Sequence, residues 1–377
     1  MEAKTFLKII GSEFYTGVPD SLLSPLCDCL ADKYGINSKN HIVAANEGNT
    51  VAIGAGYHLA TGKIPAVYLQ NSGEGNIVNP VASLLSEKVY GIPMIFIIGW
   101  RGEPGVHDEP QHIFQGEITL KLLDVLDISY IVLDRETSEE ELKSKFGEFE
   151  NKLNMGKSVA IVVKKGALAY NKKIYKNENI LTREEVIRRI VSVAKDDFII
   201  ATTGKAGREL FEIREETKEG HGRDFLTVGS MGHCSSIALG VALQKPDKKI
   251  WCIDGDGAAI MHIGAMAVIG NISPDNLIHI LINNKAHESV GGIPTAANTL
   301  DFLQIAQNCG YKYVKSVNDM EELEICLKEA KNKDELSFIE VKTRIFSRKD
   351  LGRPTVSARE NKVMFGSSSV EVGKKSS

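Results

Sequence analysis

Short runs of apolar and β-branched residues alternate along this chain with longer stretches of helical periodicity, and the whole alternation occurs twice. In the first half the runs are residues 14–18, 41–45, 66–70, 94–99, 130–133 and 159–164, with helical stretches after Asp20, Glu47, Asn76 and Thr137. The second half has runs at 198–202, 249–253, 277–282, 311–314 and 338–341, and helices predicted over 205–216, 235–243, 258–269 and 320–331. Strands separated by helices pair in parallel, because a parallel neighbour needs a crossover of a dozen or more residues. The run at 94–99 is apolar without alternation, as a strand covered on both faces requires. The fold class is therefore α/β: two domains, each a mainly parallel sheet with helices on both faces.

A length of 377 residues suits two domains of roughly 100–200 residues each. The periodicity is interrupted by a polar segment ending at Leu181, and Thr182 with Glu185 then forms a capping-box pair that starts a helix. The expected layout is a domain at 1–166, a linker at 167–181, a domain at 182–346, and a C-terminal extension at 347–377. Residues 367–377, rich in Ser, Gly and Lys, read as a disordered tail.

A net charge of −4 provides no basic field to collect nucleic acid or anionic lipid. No run of about 18 apolar residues exists to span a membrane, and residues 1–10 do not read as a signal peptide. The six cysteines are scattered, apart from Cys27 and Cys29, and read as reduced thiols of a cytoplasmic protein.

Chemistry concentrates at the carboxyl ends of the predicted strands, where open α/β sheets bind ligands. Gly255-Asp256-Gly257-Ala258 follows the run at 249–253 and leads into a helix, whose free N–H groups can meet phosphate. A Gly-Asp-Gly alone is an ordinary strand-to-helix turn. Here Asn283-Asn284 ends the next strand and returns to the same edge. Carboxylate, amide and carbonyl oxygens are hard ligands that suit octahedral Mg²⁺ carrying a diphosphate.

With this spacing the segment resembles the magnesium-diphosphate motif of the thiamine-diphosphate superfamily, which includes decarboxylases, acetohydroxyacid synthases and transketolases. The resemblance implies two thiamine-diphosphate-binding domains. It further implies that Asp256, the Asn284 side chain and the Ala286 carbonyl bind Mg²⁺. Gly229-Ser230-Met231-Gly232 matches the loop that holds the cofactor bent, with Met231 between its two rings. In the other domain, Ala44-Ala45-Asn46-Glu47-Gly48 matches the position of the Glu that hydrogen-bonds the aminopyrimidine N1′. The Asn71–Asn76 loop would line the same cleft, with Glu74 where similar enzymes carry Leu. Because members of the superfamily bind the two cofactor halves on different subunits, a homodimer is the smallest active unit implied.

Other loops narrow the resemblance to the phosphonopyruvate and sulfopyruvate decarboxylases. They are residues 14–23, 99–105 and 108–112, Ala286-His287-Glu288-Ser289-Val290-Gly291-Gly292, and Leu351-Gly352-Arg353-Pro354-Thr355. Ile293 stands where Gln is usual. The last two loops, on a single fused chain, resemble the phosphonopyruvate enzymes most. The implied reaction is decarboxylation of a phosphonate-bearing 2-oxo acid, with a sulfopyruvate decarboxylase as the alternative and a silent cofactor-binding homologue as a third reading. Asp20 can contact the reacting carbonyl or cap a helix. His107, His112 and His287 fall in predicted loops, with His287 placed to reach substrate. Arg101, Arg353 and Lys362 are candidate phosphonate partners, since guanidinium matches its oxygens bidentately. His58, His262 and His279 fall within helix or strand patterns and read as structural.

Overall fold

Twelve of the strands form two six-stranded sheets, and both sheets have the same winding order. In the computed structural model, which describes residues 1–371, the N-terminal unit comprises Met1–Ile174 with Ser289–Ile293. Its strands are β1 (Tyr15–Gly17), β2 (His41–Val43), β3 (Ala66–Gln70), β4 (Ile95–Gly99), β5 (Ser129–Leu133) and β6 (Val159–Val163). They lie in the order β2-β1-β3-β4-β6-β5, every pair parallel. The C-terminal unit begins at Tyr175, with β7 (Phe198–Ala201), β8 (Asp224–Leu226), β9 (Ile250–Gly255) and β10 (Leu277–Asn283). After the two-residue strands β11 (Ala286–His287) and β12 (Ile293–Pro294) come β13 (Tyr313–Val317) and β14 (Ser337–Lys342). Their main sheet runs β8-β7-β9-β10-β14-β13, again wholly parallel. In each sheet the first and third strands are neighbours. The order in which strands are added reverses between them, and the crevice at their carboxyl ends is the topological switch point.

The central strands are buried along their length. Ile95–Gly99 and Val159–Val163 have no exposed residue, and Phe96, Ile97 and Ile98 are fully enclosed. Burying each such side chain stabilises the fold by about 1.5–3 kcal/mol, which is why these runs are apolar on both faces. Thr182 and Glu185 form the predicted capping box at the start of the helix Arg183–Ala194. All six cysteines are free thiols, five of them buried.

Four expectations are corrected. The helix predicted over 258–269 is two helices, Asp256–Met261 and Gly264–Ile272, which part at His262. The edge strand β8 had no sequence counterpart, being only three residues long and held by a buried bidentate pair between Arg214 and Asp224. His112 lies on the helix Pro110–Val125 and His287 on the two-residue strand β11, rather than in loops. Part of the predicted tail is ordered: residues 367–371 belong to the helix Ala358–Glu371, and residues 372–377 lie outside the described residues. Asn361 explains the helix, since it accepts from Leu226 N and donates to the Asp224 carbonyl, pairing with the edge of β8. Phe365 packs edge-on against Phe198 and Phe225. Its start carries a signal legible in the sequence, a reciprocal cap between Ser357 and Glu360. Among the described residues, no helix is long and apolar enough to cross a membrane.

Candidate active site

The C-terminal unit brings Asp256 and Asn284 to one edge. β9 and β10 are adjacent, in a register that pairs Ile282 with Gly255, so Asp256 and Asn284 leave the carboxyl ends of neighbouring strands. Asp256 is buried, and Thr295 Oγ1 donates to its Oδ2 over 2.6 Å. Burial raises its pKa to about 6 against its hydrogen bonds, and among the described residues no cationic side chain acts on it. A buried carboxylate without a counter-ion suits a bound cation. Asn284 Oδ1 accepts from Ala286 N over 3.0 Å, while its Nδ2 donates to Glu288 Oε2 over 3.1 Å. Asn283 has a different task. Its amide ties the turn to Glu340 and to Lys285 N, and Lys285 takes a left-handed φ of 59°.

His287 lies over the same turn, since a Cβ on Gly257 would come within 3.6 Å of its ring. Burial lowers the His287 pKa to about 4, so the imidazole is neutral at pH 7. Gly229, Ser230 and Met231 follow β8 at the carboxyl edge. Ser230 has a φ of 50°, and Gly232 at 90° packs so tightly that a Cβ would lie 2.7 Å from the His262 ring. His262 is thus a wall of this loop, its ring centroid 4.4 Å from that of His233. His279 is buried in β10, with Nδ1 3.1 Å from the Tyr311 hydroxyl. With Cys252 and Asp254 it brings ligand atoms within 4.8 Å of one another, inside the body of the sheet rather than at its edge.

In the N-terminal unit, Glu47 follows β2 as the first residue of the helix Glu47–Thr61, and Asn46 caps that helix by accepting from Gly48 N. The Glu47 carboxylate is buried and accepts from Asn76 Nδ2 over 2.7 Å; its burial raises the pKa. Asp20, after β1, accepts from Leu22 N, Leu23 N and Gln70 Nε2. It therefore caps the turn before the helix Ser24–Tyr34, and burial pushes its pKa up. Arg101, after β4, is held bidentately by Asp108 and reaches Ser21 Oγ with its Nη1. Asn71 fastens this loop, donating to the Arg101 carbonyl and to Thr119 Oγ1. His112 is half-buried, and its Nδ1 has no partner among the described residues.

Arg353 and Lys362 are exposed and belong to the C-terminal unit, whereas Arg101 and His112 belong to the other. The segment carrying Arg353 is anchored by Arg208, which donates to the Leu351 and Gly352 carbonyls. Sequence reasoning missed Thr295, Asn76, Gln70 and Glu288 as partners of the candidate residues. Two carried a signal: Asn76 as part of the loop expected to line the cleft, and Glu288 as part of the 286–292 loop.

Comparisons with known proteins bear on this arrangement. Residues 5–124 match the thiamine pyrophosphate enzyme N-terminal TPP-binding domain, and residues 203–341 the C-terminal TPP-binding domain. The chain is 31% identical to a phosphonopyruvate decarboxylase of Streptomyces viridochromogenes over 93% of its own length and 90% of the relative's. It is 28% identical to a sulfopyruvate decarboxylase of Methanosarcina acetivorans, over 89% of this chain and 90% of that one. A sulfopyruvate decarboxylase subunit beta of Methanothermobacter thermautotrophicus is 34% identical over 37% of this chain and 73% of the subunit. Two TPP-binding domains and near full-length likeness make this chain a thiamine-pyrophosphate-dependent decarboxylase of the phosphonopyruvate/sulfopyruvate type, and it belongs to the phosphonopyruvate decarboxylase family.

Proposed function

We propose that the chain decarboxylates 3-phosphonopyruvate to phosphonoacetaldehyde and carbon dioxide, in the biosynthesis of phosphonates such as 2-aminoethylphosphonate, with thiamine diphosphate held through Mg²⁺. The observation that carries the cofactor reading is the meeting of a buried, uncompensated Asp256 carboxylate with Asn284 at neighbouring strand ends. Asp256, Asn284 and the Ala286 carbonyl hold Mg²⁺, an all-oxygen set suited to a hard ion. Gly255, Gly257 and Ala258 would hold the diphosphate, and Gly229, Ser230 and Met231 would contact the rest of the cofactor.

Bound thiamine diphosphate supplies a carbon nucleophile and a sink for the electron pair left when carbon dioxide departs. Glu47 holds a proton at the aminopyrimidine N1′, and its burial favours the protonated carboxyl needed to donate there. His287, neutral at pH 7, is the proposed substrate contact beside the metal turn and can accept a proton or a hydrogen bond there. Asp20 orients the ketone region. Arg101, His112 and Arg353 are the proposed phosphonate contacts, with Arg101 preset by Asp108. The active unit is a homo-oligomer with Glu47 of one subunit completing the site of another, working in the cytoplasm on a small 2-oxo acid.

The substrate assignment is supported by likeness to phosphonopyruvate decarboxylases over 93% of the chain. It is tested by supplying the purified protein, with thiamine diphosphate and Mg²⁺, with phosphonopyruvate, sulfopyruvate or pyruvate. Phosphonoacetaldehyde as the fastest-formed product is expected. Faster turnover of sulfopyruvate would transfer the assignment to sulfopyruvate decarboxylase, and no carbon dioxide from any of the three would leave a cofactor-binding homologue.

A further inference from the structure

We propose that Glu288 is a positioning residue that fixes the Asn284 carboxamide with its oxygen available to the metal, and that Arg183 and Lys205 hold Glu288 in place for that task. The inference rests on the Mg²⁺ reading above. A carboxamide has two ends of similar shape and opposite chemistry: the oxygen coordinates a cation and the NH₂ cannot. Turning the group over exchanges them at little steric cost, so a metal-binding Asn needs a partner that distinguishes the ends.

Glu288 does so. Asn284 Nδ2 donates to Glu288 Oε2 over 3.1 Å, and an ionised carboxylate only accepts, which disfavours the reversed amide. The Ala286 N–H, donating to Asn284 Oδ1, selects the same orientation. Glu288 is itself gripped from two helices. Arg183 Nη1 donates to its Oε2 over 2.7 Å, and Lys205 Nζ to its Oε1 over 2.9 Å. Arg183 is buried and spends its other face on Glu209, also buried, through two bonds of 2.7 Å. Lys205 also reaches Ser347 Oγ. Two cations and two anions leave the group neutral as a unit. Such a cluster is costly to desolvate and is a weak source of stability compared with apolar packing. Its most specific product is a fixed acceptor, four residues beyond Asn284, aimed at one amide.

The test is Mn²⁺ binding, followed through the free-ion paramagnetic resonance signal in the presence of saturating thiamine diphosphate, with the fold checked by circular dichroism. Glu288→Gln, which can present its own NH₂ to the amide, is expected to weaken Mn²⁺ binding about tenfold or more. In an Asn284→Asp background the two side-chain oxygens are equivalent, so no orientation remains to be fixed. There the same Glu288→Gln change is expected to leave Mn²⁺ affinity unchanged, or to raise it by removing a neighbouring like charge. Equal weakening in both backgrounds marks Glu288 as architectural and overturns the proposal, as does undiminished affinity in Glu288→Gln alone. If Glu288→Gln fails to fold, Glu288→Asp makes the same comparison, since it keeps the charge but draws the acceptor back by one carbon. Failure of the unaltered protein to bind Mn²⁺ would overturn the metal reading and this inference with it, a result distinct from any difference between variants.

Discussion

Gly73 stands so close to Glu47 that a Cβ on it would lie 2.5 Å from the Glu47 Cγ and 2.6 Å from Oε1. Glycine at 73 is thus what lets the Glu47 carboxyl occupy its buried position beside Asn76. Gly73→Ala is expected to displace the carboxyl while leaving the sheet intact. A misplacement of about 1 Å at a catalytic group can cost about 10²-fold in rate. Steady-state kinetics should show kcat reduced to that order, with thiamine diphosphate still bound. Wild-type kcat would show that Glu47 does not need its observed position.

Glu47→Gln keeps the size of the side chain but removes the titratable proton. Turnover should fall by about 10²–10⁴-fold, the usual contribution of a positioned acid or base. Magnesium-dependent cofactor binding, read by tryptophan fluorescence, should persist. Asp256→Ala should behave in the opposite way and lose cofactor binding itself. Full activity of Glu47→Gln would remove the residue from the proposed site.

The Asp256 pKa of about 6 makes metal binding depend on pH. Below about pH 6 a proton competes with Mg²⁺ for the carboxylate, so apparent Mg²⁺ affinity should fall up to about tenfold per pH unit there. For the metal-free protein the sign is reversed. An acid with a raised folded pKa contributes stability that is full below its unfolded value of 3.8 and lost as pH rises through about 6. Thermal stabilisation by Mg²⁺ with thiamine diphosphate should therefore be much larger at pH 7 than at pH 5. Equal stabilisation at both would contradict the assignment of Asp256 as a ligand.

Glu74 is 1% exposed, and the Thr119 hydroxyl beside it offsets only part of the cost of burying its carboxyl. Burial raises its pKa from 4.5 to about 8. The folded form keeps a proton that the unfolded chain releases, so stability is full below pH 4.5. It then declines by about 1.4 kcal/mol per pH unit and is lost by about pH 8. Glu74→Gln should abolish this slope, and melting temperatures of the two proteins should diverge between pH 5 and 8. Parallel profiles would show that Glu74 is ionised in the folded state at neutral pH.

Much of the fold was legible because its signals are local. The continuous apolar run at 94–99 reads as a covered strand from its own residues, and the Thr182–Glu185 cap lies within one turn of chain. The breaks at His262 and β8 were not legible. The first depends on a ring packed against a distant glycine, and the second on a three-residue edge held by Arg214 and Asn361. The Ser-rich residues 367–371 read as tail rather than helix, because the anchors of that helix, Asn361 and Phe365, have meaning only beside β8.

The candidate site divides in the same way. Asp256, Asn284 and Glu47 could be named from the sequence because a parallel α/β chain must return every strand end to one edge, which converts spacing along the chain into proximity in space. Their partners could not. Thr295 on Asp256, Gln70 on Asp20, and Glu288 with Arg183 behind Asn284 come from separate elements, and hydrogen bonds across such distances leave no periodicity to read. The sequence by itself determined the edge and the residues that reach it. Only the tertiary structure decided which groups face them, because burial and hydrogen-bond geometry are properties of the packed chain.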